Sequence, residues 1–139
     1  MIIEVNKLVK SWISKKFYSL VLKQSARVLK ACLPDRQAEK KIDNLSIALV
    51  SGQTIKKLNH QYRRINQVTD VLSFDDPPQI IICWPQLKKQ AKEQKHSQKK
   101  ELAILLIHGF LHILGHDHRR KTDRIKMEKM EAKILKLIK

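Results

Sequence analysis

The apolar positions along the chain fall into short blocks whose spacing changes from one to the next. Ile2, Ile3 and Val5 are a β-prone opening and predict an edge strand. Phe17, Leu20, Val21, Gln24, Val28 and Ala31 follow helical spacing, with Lys23, Arg27 and Lys30 outside. Leu33-Pro34-Asp35 should stop that helix, and the polar run 35–44 reads as a loop. Alternation over Leu45–Val50 predicts a strand. Ser51 can then cap a helix carrying Ile55, Leu58 and Tyr62 on one face. Val71–Phe74 is a short strand, and Asp75-Asp76-Pro77-Pro78 is a tight connection. The wholly apolar Ile80-Ile81-Ile82-Cys83 predicts a central strand covered on both faces.

From Trp84 the character changes. Residues 86–100 carry six Lys against one Glu, a basic surface helix or a partly mobile segment. Glu101 and the apolar run Leu102–Ile107 open another helix. In the tail, Arg119–Lys139, the residues Ile125, Met127, Met130, Ile134, Leu135 and Ile138 make a rough apolar stripe, so a packed amphipathic helix is expected. The order β-α-β-α-β-β followed by helices implies an α+β fold. It would be a small mixed four-stranded sheet packed with about five helices, in one domain over residues 1–139.

A chain of 139 residues fits one domain and can bury roughly two-thirds of its unfolded surface. Aromatic residues are only 5%, so Leu, Ile and Val must fill the core. Lys plus Arg number 29 against 13 acidic residues, a net charge of +16. That excess goes far beyond what solubility needs and points to a polyanionic partner. Nucleic acid leads, with an anionic membrane surface behind it; solvated Lys-rich faces are the plain alternative. Two cysteines, Cys32 and Cys83, make no disulfide framework, which fits a reducing cytoplasm. No apolar run reaches the length of a membrane span, and the start lacks the pattern of a signal peptide.

The chemistry concentrates in His108-Gly109-Phe110-Leu111-His112-Ile113-Leu114-Gly115-His116-Asp117-His118. His108 and His112 lie one turn apart on one helix face. Gly115 can end the helix in a left-handed conformation, letting His118 swing back toward them. Three imidazoles are the usual ligand count of a catalytic zinc with one position left open. A structural zinc would want a fourth protein ligand, which Cys83, His116 or Asp117 could supply. The spacing equals that of metzincin peptidases, H-E-x-x-H-x-x-G-x-x-H, but their catalytic Glu is replaced here by Gly109. Peptide hydrolysis lacks its proton carrier, whereas phosphodiester cleavage needs charge stabilisation that zinc and an Arg can provide. The basic charge favours the phosphodiester.

A second stretch is Leu58-Asn59-His60-Gln61-Tyr62-Arg63-Arg64, followed by Thr69-Asp70-Val71-Leu72-Ser73-Phe74. By itself it reads as an exposed helix end, where cations complement the dipole, followed by a capped strand. Taken together, the two stretches resemble the YbeY-type endoribonucleases, described as rRNA maturation factors. His108 to His118 matches H-G-x-L-H-x-x-G-x-D-H, and the second stretch matches L-N-x-x-Y-R followed by T-D-V-L-S-F. A weaker match runs through Ile80–Cys83, His96-Ser97 and Glu101-Leu102. The resemblance covers roughly residues 45–131.

The resemblance implies a metal-dependent, single-strand endoribonuclease of the cytoplasm, acting in 16S rRNA 3′-end maturation and ribosome quality control. Its partners would be an rRNA precursor and the ribosome or small-subunit proteins. It implies one zinc on His108, His112 and His118, and Arg63 as the phosphate-contacting catalytic residue. Single-stranded RNA would lie along a basic groove formed around Lys56, Arg63 and Arg64, with Lys88–Lys100 or the tail nearby. Two departures stand out. His116 replaces the family's usual Tyr, and with Asp117 it is a candidate accessory group. Pro78-Gln79 replaces a common Gly-Asp at the rim of the cleft.

Overall fold

The computed structural model describes residues 1–32, 42–115 and 121–138. Four strands and five helices follow one another as β1 (Ile2–Lys7), α1 (Lys15–Cys32), β2 (Asn44–Val50), α2 (Gly52–Arg63), β3 (Val71–Asp75), β4 (Pro78–Cys83), α3 (Trp84–Glu93), α4 (Gln98–Ile113) and α5 (Lys121–Leu137). The sheet order is β1-β2-β4-β3. β1, β2 and β4 run parallel, and β3 pairs antiparallel with β4 in a tight hairpin. The mixed sheet and five helices are the α+β fold that the apolar pattern implies.

Side-chain alternation in the strands divides the core in two. Leu45, Ile47 and Leu49 of β2 and Ile80 and Ile82 of β4 face a large cluster contributed by α1, α4 and α5, with Trp84 and Leu87 of α3. The intervening residues Val50, Ile81 and Cys83 face the other side, where Ile55 of α2 and Leu72 of β3 complete a small cluster. β4 is therefore covered on both faces, which is why its sequence does not alternate. β1 is an edge strand, also as expected.

The differences from the expected pattern are local. Leu20 and Ile125 are exposed, although the spacing placed both on apolar stripes. The buried face of α1 is Tyr18, Val21, Leu22, Ser25, Val28 and Leu29, and Leu20 lies off it. On α5 the buried stripe is Met127, Met130 and Ile134. Ile125 precedes Met127 by two positions, which on a helix is the opposite side. Tyr62 is likewise exposed, although it packs edge-on against Phe74 with ring centres 5.1 Å apart. Residues 86–100 are not one segment. α3 ends at Glu93, the backbone turns through Lys95 at φ 56°, and Ser97 caps α4 by accepting from the Lys100 amide at 3.0 Å. The expected stop at Leu33-Pro34-Asp35 lies outside the described residues.

Candidate active site

One wall of the cleft that holds His108 and His112 is α4, and its sequence explains its placement. Leu102, Leu106, Ile107, Phe110 and Leu111 bury against the sheet and neighbouring helices, so this helix is apolar on nearly all sides. Glu101, His108 and His112 line the cleft along the remaining strip. Gly109 lets the helix press onto β4: a Cβ there would stand 3.2 Å from Ile80 Cγ1 and Cγ2. The expected helix end is present. Gly115 takes φ 90°, and its amide donates to the His112 carbonyl at 3.0 Å.

The opposite wall comes from β3 and the C-terminal end of α2. Tyr62 and Arg63 reach over the β3 edge and line the cleft with Asp70, Ser73 and Phe74. α2 starts as expected, with Ser51 accepting from the Thr54 amide at 3.2 Å. It stops at Arg64, whose φ of 58° is left-handed and whose amide donates to the His60 carbonyl at 3.0 Å. Asn59 is buried and fastens the following loop through a 2.9 Å bond from its side-chain amide to the Gln67 carbonyl. That clamp fixes where α2 ends and so where Arg63 stands. Lys56 and Arg64 are exposed and do not line the cleft.

His108 and His112 stand side by side, ring centres 5.0 Å apart. The His108 Nδ1 shares a 3.2 Å hydrogen bond with Glu131 Oε1 of α5. That hydrogen bond holds the imidazole above the ordinary histidine range, against the opposing effect of partial burial. Two nitrogen donors on one cleft wall, one fixed by a carboxylate behind it, match the donor chemistry of a zinc site. No group of three or more His, Cys, Asp or Glu that could hold a metal is present among the described residues. The expected third ligand His118 lies outside the described residues, as do His116 and Asp117. Cys83 is fully buried in the α2-side cluster, the other face of the sheet from α4, so it is not placed to be a fourth ligand.

At the far end of the strip, Glu101 is only 5% exposed. The His96 Nε2 lies 2.7 Å from its Oε2, and the Gln90 amide donates to its Oε1 at 3.3 Å and to Asp70 Oδ2 at 3.2 Å. Asp70 also accepts from the Val71 amide at 2.8 Å, the strand-start cap expected from Thr69-Asp70. The cleft thus has a cationic and imidazole end and a carboxylate end.

A family model described as "Endoribonuclease YbeY" matches residues 10–139. The chain belongs to this family. A curated endoribonuclease YbeY from Heliobacterium modesticaldum is 35% identical over 86% of this chain and 82% of its own length. One from Dehalococcoides mccartyi is 38% identical over 83% and 84%, and one from Finegoldia magna is 43% identical over 68% of each chain. A solution structure from Thermotoga maritima superimposes with a TM-score of 0.67 and 26% identity, covering 99% of this chain and 89% of that one. Membership in the YbeY family makes this chain a nuclease that hydrolyses RNA. No helix among the described residues is long and apolar enough to cross a membrane.

Of the two carboxylates at this YbeY site, Glu101 was named only within the weaker family match, and Glu131 was not singled out by sequence reasoning. Glu131 sits between Met127, Met130 and Ile134 on the packed side of α5. A carboxylate inside an apolar stripe is a signal that can be read, because burial without a partner is costly. Glu101, in front of an apolar run, carries the same signal.

Proposed function

We propose that the protein is a zinc-dependent, single-strand-specific endoribonuclease acting on an rRNA precursor in 16S rRNA 3′-end maturation and ribosome quality control. The observation that carries this reading is the placement of Arg63 in one cleft with His108 and His112. His108, His112 and His118 would hold one zinc ion. When bound, the metal supplies Lewis acidity and makes a nucleophile available near neutral pH.

The protein's own residues do the rest. Glu131 holds the His108 ring by its Nδ1, so Nε2 is the nitrogen through which His108 would bind the metal. Arg63 offers a planar fork to the scissile phosphate and stabilises the charge that develops on its oxygens. Tyr62, beside it and resting on Phe74, supplies an aromatic edge to a neighbouring nucleotide. Lys56 and Arg64, outside the cleft, add long-range attraction for the rest of the strand. His116 and Asp117 stand next to the third ligand in sequence and are the candidate accessory groups. The ribosome or its small-subunit proteins are the proposed partners, and the cytoplasm is the proposed location.

A peptidase is disfavoured by more than a missing residue. At position 109 the Cβ direction leads into Ile80, so a catalytic Glu would start inside the core. The test is to measure bound metal, then incubate the purified protein with single-stranded RNA and with an unstructured peptide, with and without chelator. One zinc per chain and chelator-sensitive RNA cleavage are expected. Peptide turnover without RNA turnover would overturn the reading.

A further inference from the structure

A second groove lies away from the cleft, where the loop after β1 meets α3 and the start of α4. Its lining includes Lys10, Trp12, Trp84, Lys88 and Gln98. Trp84 is buried, but Trp12 is 63% exposed. An indole with an open face and a bonded N–H is of the kind enriched at binding interfaces. It is also held in place. Its Nε1 donates to Gln98 Oε1, and the Lys99 ammonium lies 5.5 Å from its ring centre. The Lys7 ammonium closes the loop beneath by donating to the Ser11 and Ile13 carbonyls. Lys10 and Lys88 line the same groove and, like Lys99, are exposed, and the lining holds no carboxylate among the described residues.

We propose that this groove is a second contact for single-stranded RNA, in which a nucleobase stacks on the Trp12 indole while Lys10, Lys88 and Lys99 meet the adjacent phosphates. A fixed, exposed aromatic ring in a groove that also presents ammonium groups is what a base and its flanking phosphates require. Leu8, 70% exposed, and the half-buried Val9 are the other accessible apolar side chains of this lining, a narrower apolar field than a protein partner or a membrane would want. The groove and the cleft share α4. Gln98 and His108 are ten positions apart, about 15 Å along the helix axis. A strand that extends several nucleotides beyond the cleft can therefore reach the groove. The contact predicts dependence on substrate length, which the cleft alone would not impose.

The proposal rests on the endoribonuclease reading of the cleft, and the experiment separates the two. Cleavage kinetics are measured for a long single-stranded oligonucleotide (about 12 nucleotides) and a short one (about 4), sizes that bracket a single binding groove. Trp12→Ala should raise KM for the long substrate on the order of tenfold, the scale of one lost base stack, with kcat unchanged. KM for the short substrate should not move. Trp12→Phe should retain most of the affinity. Lys10→Glu with Lys88→Glu should weaken binding and flatten its salt dependence, by direct anisotropy titration of the long strand. Equal KM values for wild type and Trp12→Ala on the long substrate would overturn the groove and leave the cleft untouched. If the wild type cleaves neither oligonucleotide, the cleft reading fails, and the anisotropy titration alone decides the groove. Trp12-dependent binding to anionic phosphatidylglycerol vesicles, with RNA affinity unaffected, would also overturn it.

Discussion

The two faces of the sheet are built differently, and the cleft takes one wall from each. The α1–α4–α5 face is thick: α4 is buried nearly all round and carries His108 and His112. The α2 face is thin: Ile55 and Asn59 are the buried residues of that helix, and Arg63 stands exposed at its end. The proposed metal ligands would tolerate little displacement, which suits the rigid wall. An arginine reaches its phosphate through a long, flexible side chain and can stand on the looser one. The histidine wall should therefore fail through loss of metal, and the arginine wall through loss of rate alone.

The sharpest way to break this division is the pair His112→Ala and Arg63→Ala. Several kcal/mol of charge stabilisation are at stake at the metal, so His112→Ala should lower RNA cleavage by about three orders of magnitude and lose zinc. Arg63→Ala should lower it by about a hundred- to a thousandfold, the scale of one lost charge-stabilising donor, with zinc content intact. The measurements are single-turnover cleavage and metal analysis on the same preparations. If Arg63→Ala also loses zinc, the two walls are not separate machines. If both variants cleave at the wild-type rate, the activity lies elsewhere.

Glu131 tests the rigid wall from behind. Its carboxylate hydrogen-bonds His108 at 3.2 Å, and removing such a partner typically costs about 10- to 100-fold in metal affinity. Glu131→Ala should show that loss in a competition titration with a chromophoric chelator, and Glu131→Gln should recover part of it. Wild-type affinity in both would mean that packing alone orients the imidazole.

The regular parts of the molecule were legible because they are periodic. The alternation of β2, the fully apolar β4 and the Ser51 cap each carry their own local signal. Gly115 and the His108–His112 spacing are legible for the same reason: a helix end and a one-turn repeat are written in consecutive residues. What stayed hidden depends on tertiary contact. Arg63 could be named, but not how Asn59 ties down Gln67 and so positions it. The Glu131–His108 pair joins residues 23 positions apart, and nothing local in either marks the other. Leu20 and Ile125 misled in the opposite direction. Other positions already supply the buried stripe of each helix, so a further apolar residue has no surface left to cover.

The close approach of α4 to β4 gives a smaller effect. Gly109→Ala puts a Cβ against a fully buried Ile80. Overpacking costs about 1–3 kcal/mol, and the better helix propensity of Ala returns up to about 1. A net loss of about 1 kcal/mol is expected, seen as a fall of a few degrees in Tm. Ile80→Val removes one of the crowded methyls, so the double variant should lose less than the sum of the two. Additive losses would mean that the crowding at Ile80 is not what makes position 109 a glycine.

The smallest expected effect concerns a loose end inside the thick layer. Tyr18 is fully buried, and its hydroxyl has no hydrogen-bond partner among the described residues. Burial pushes its pKa up from 10.0 to about 12, and the nearby Ser11 side chain, which stands outside hydrogen-bonding geometry, pulls the other way. A raised folded-state value means that the folded protein holds the proton more tightly than the unfolded chain does. The stabilisation is thus complete below about pH 10 and is lost as pH rises toward 12, at up to about 1.4 kcal/mol per unit. Tyr18→Phe should be neutral or slightly stabilising at pH 7, within about 1 kcal/mol, because no hydrogen bond is given up. Comparing denaturant midpoints of the two proteins from pH 7 to 12 isolates this residue from the many lysines that titrate in the same window. The wild type should fall behind the variant only above pH 10. A loss exceeding about 1 kcal/mol for Tyr18→Phe at pH 7 would show that the hydroxyl is paired after all, and that the thick layer has a polar anchor as well as an apolar one.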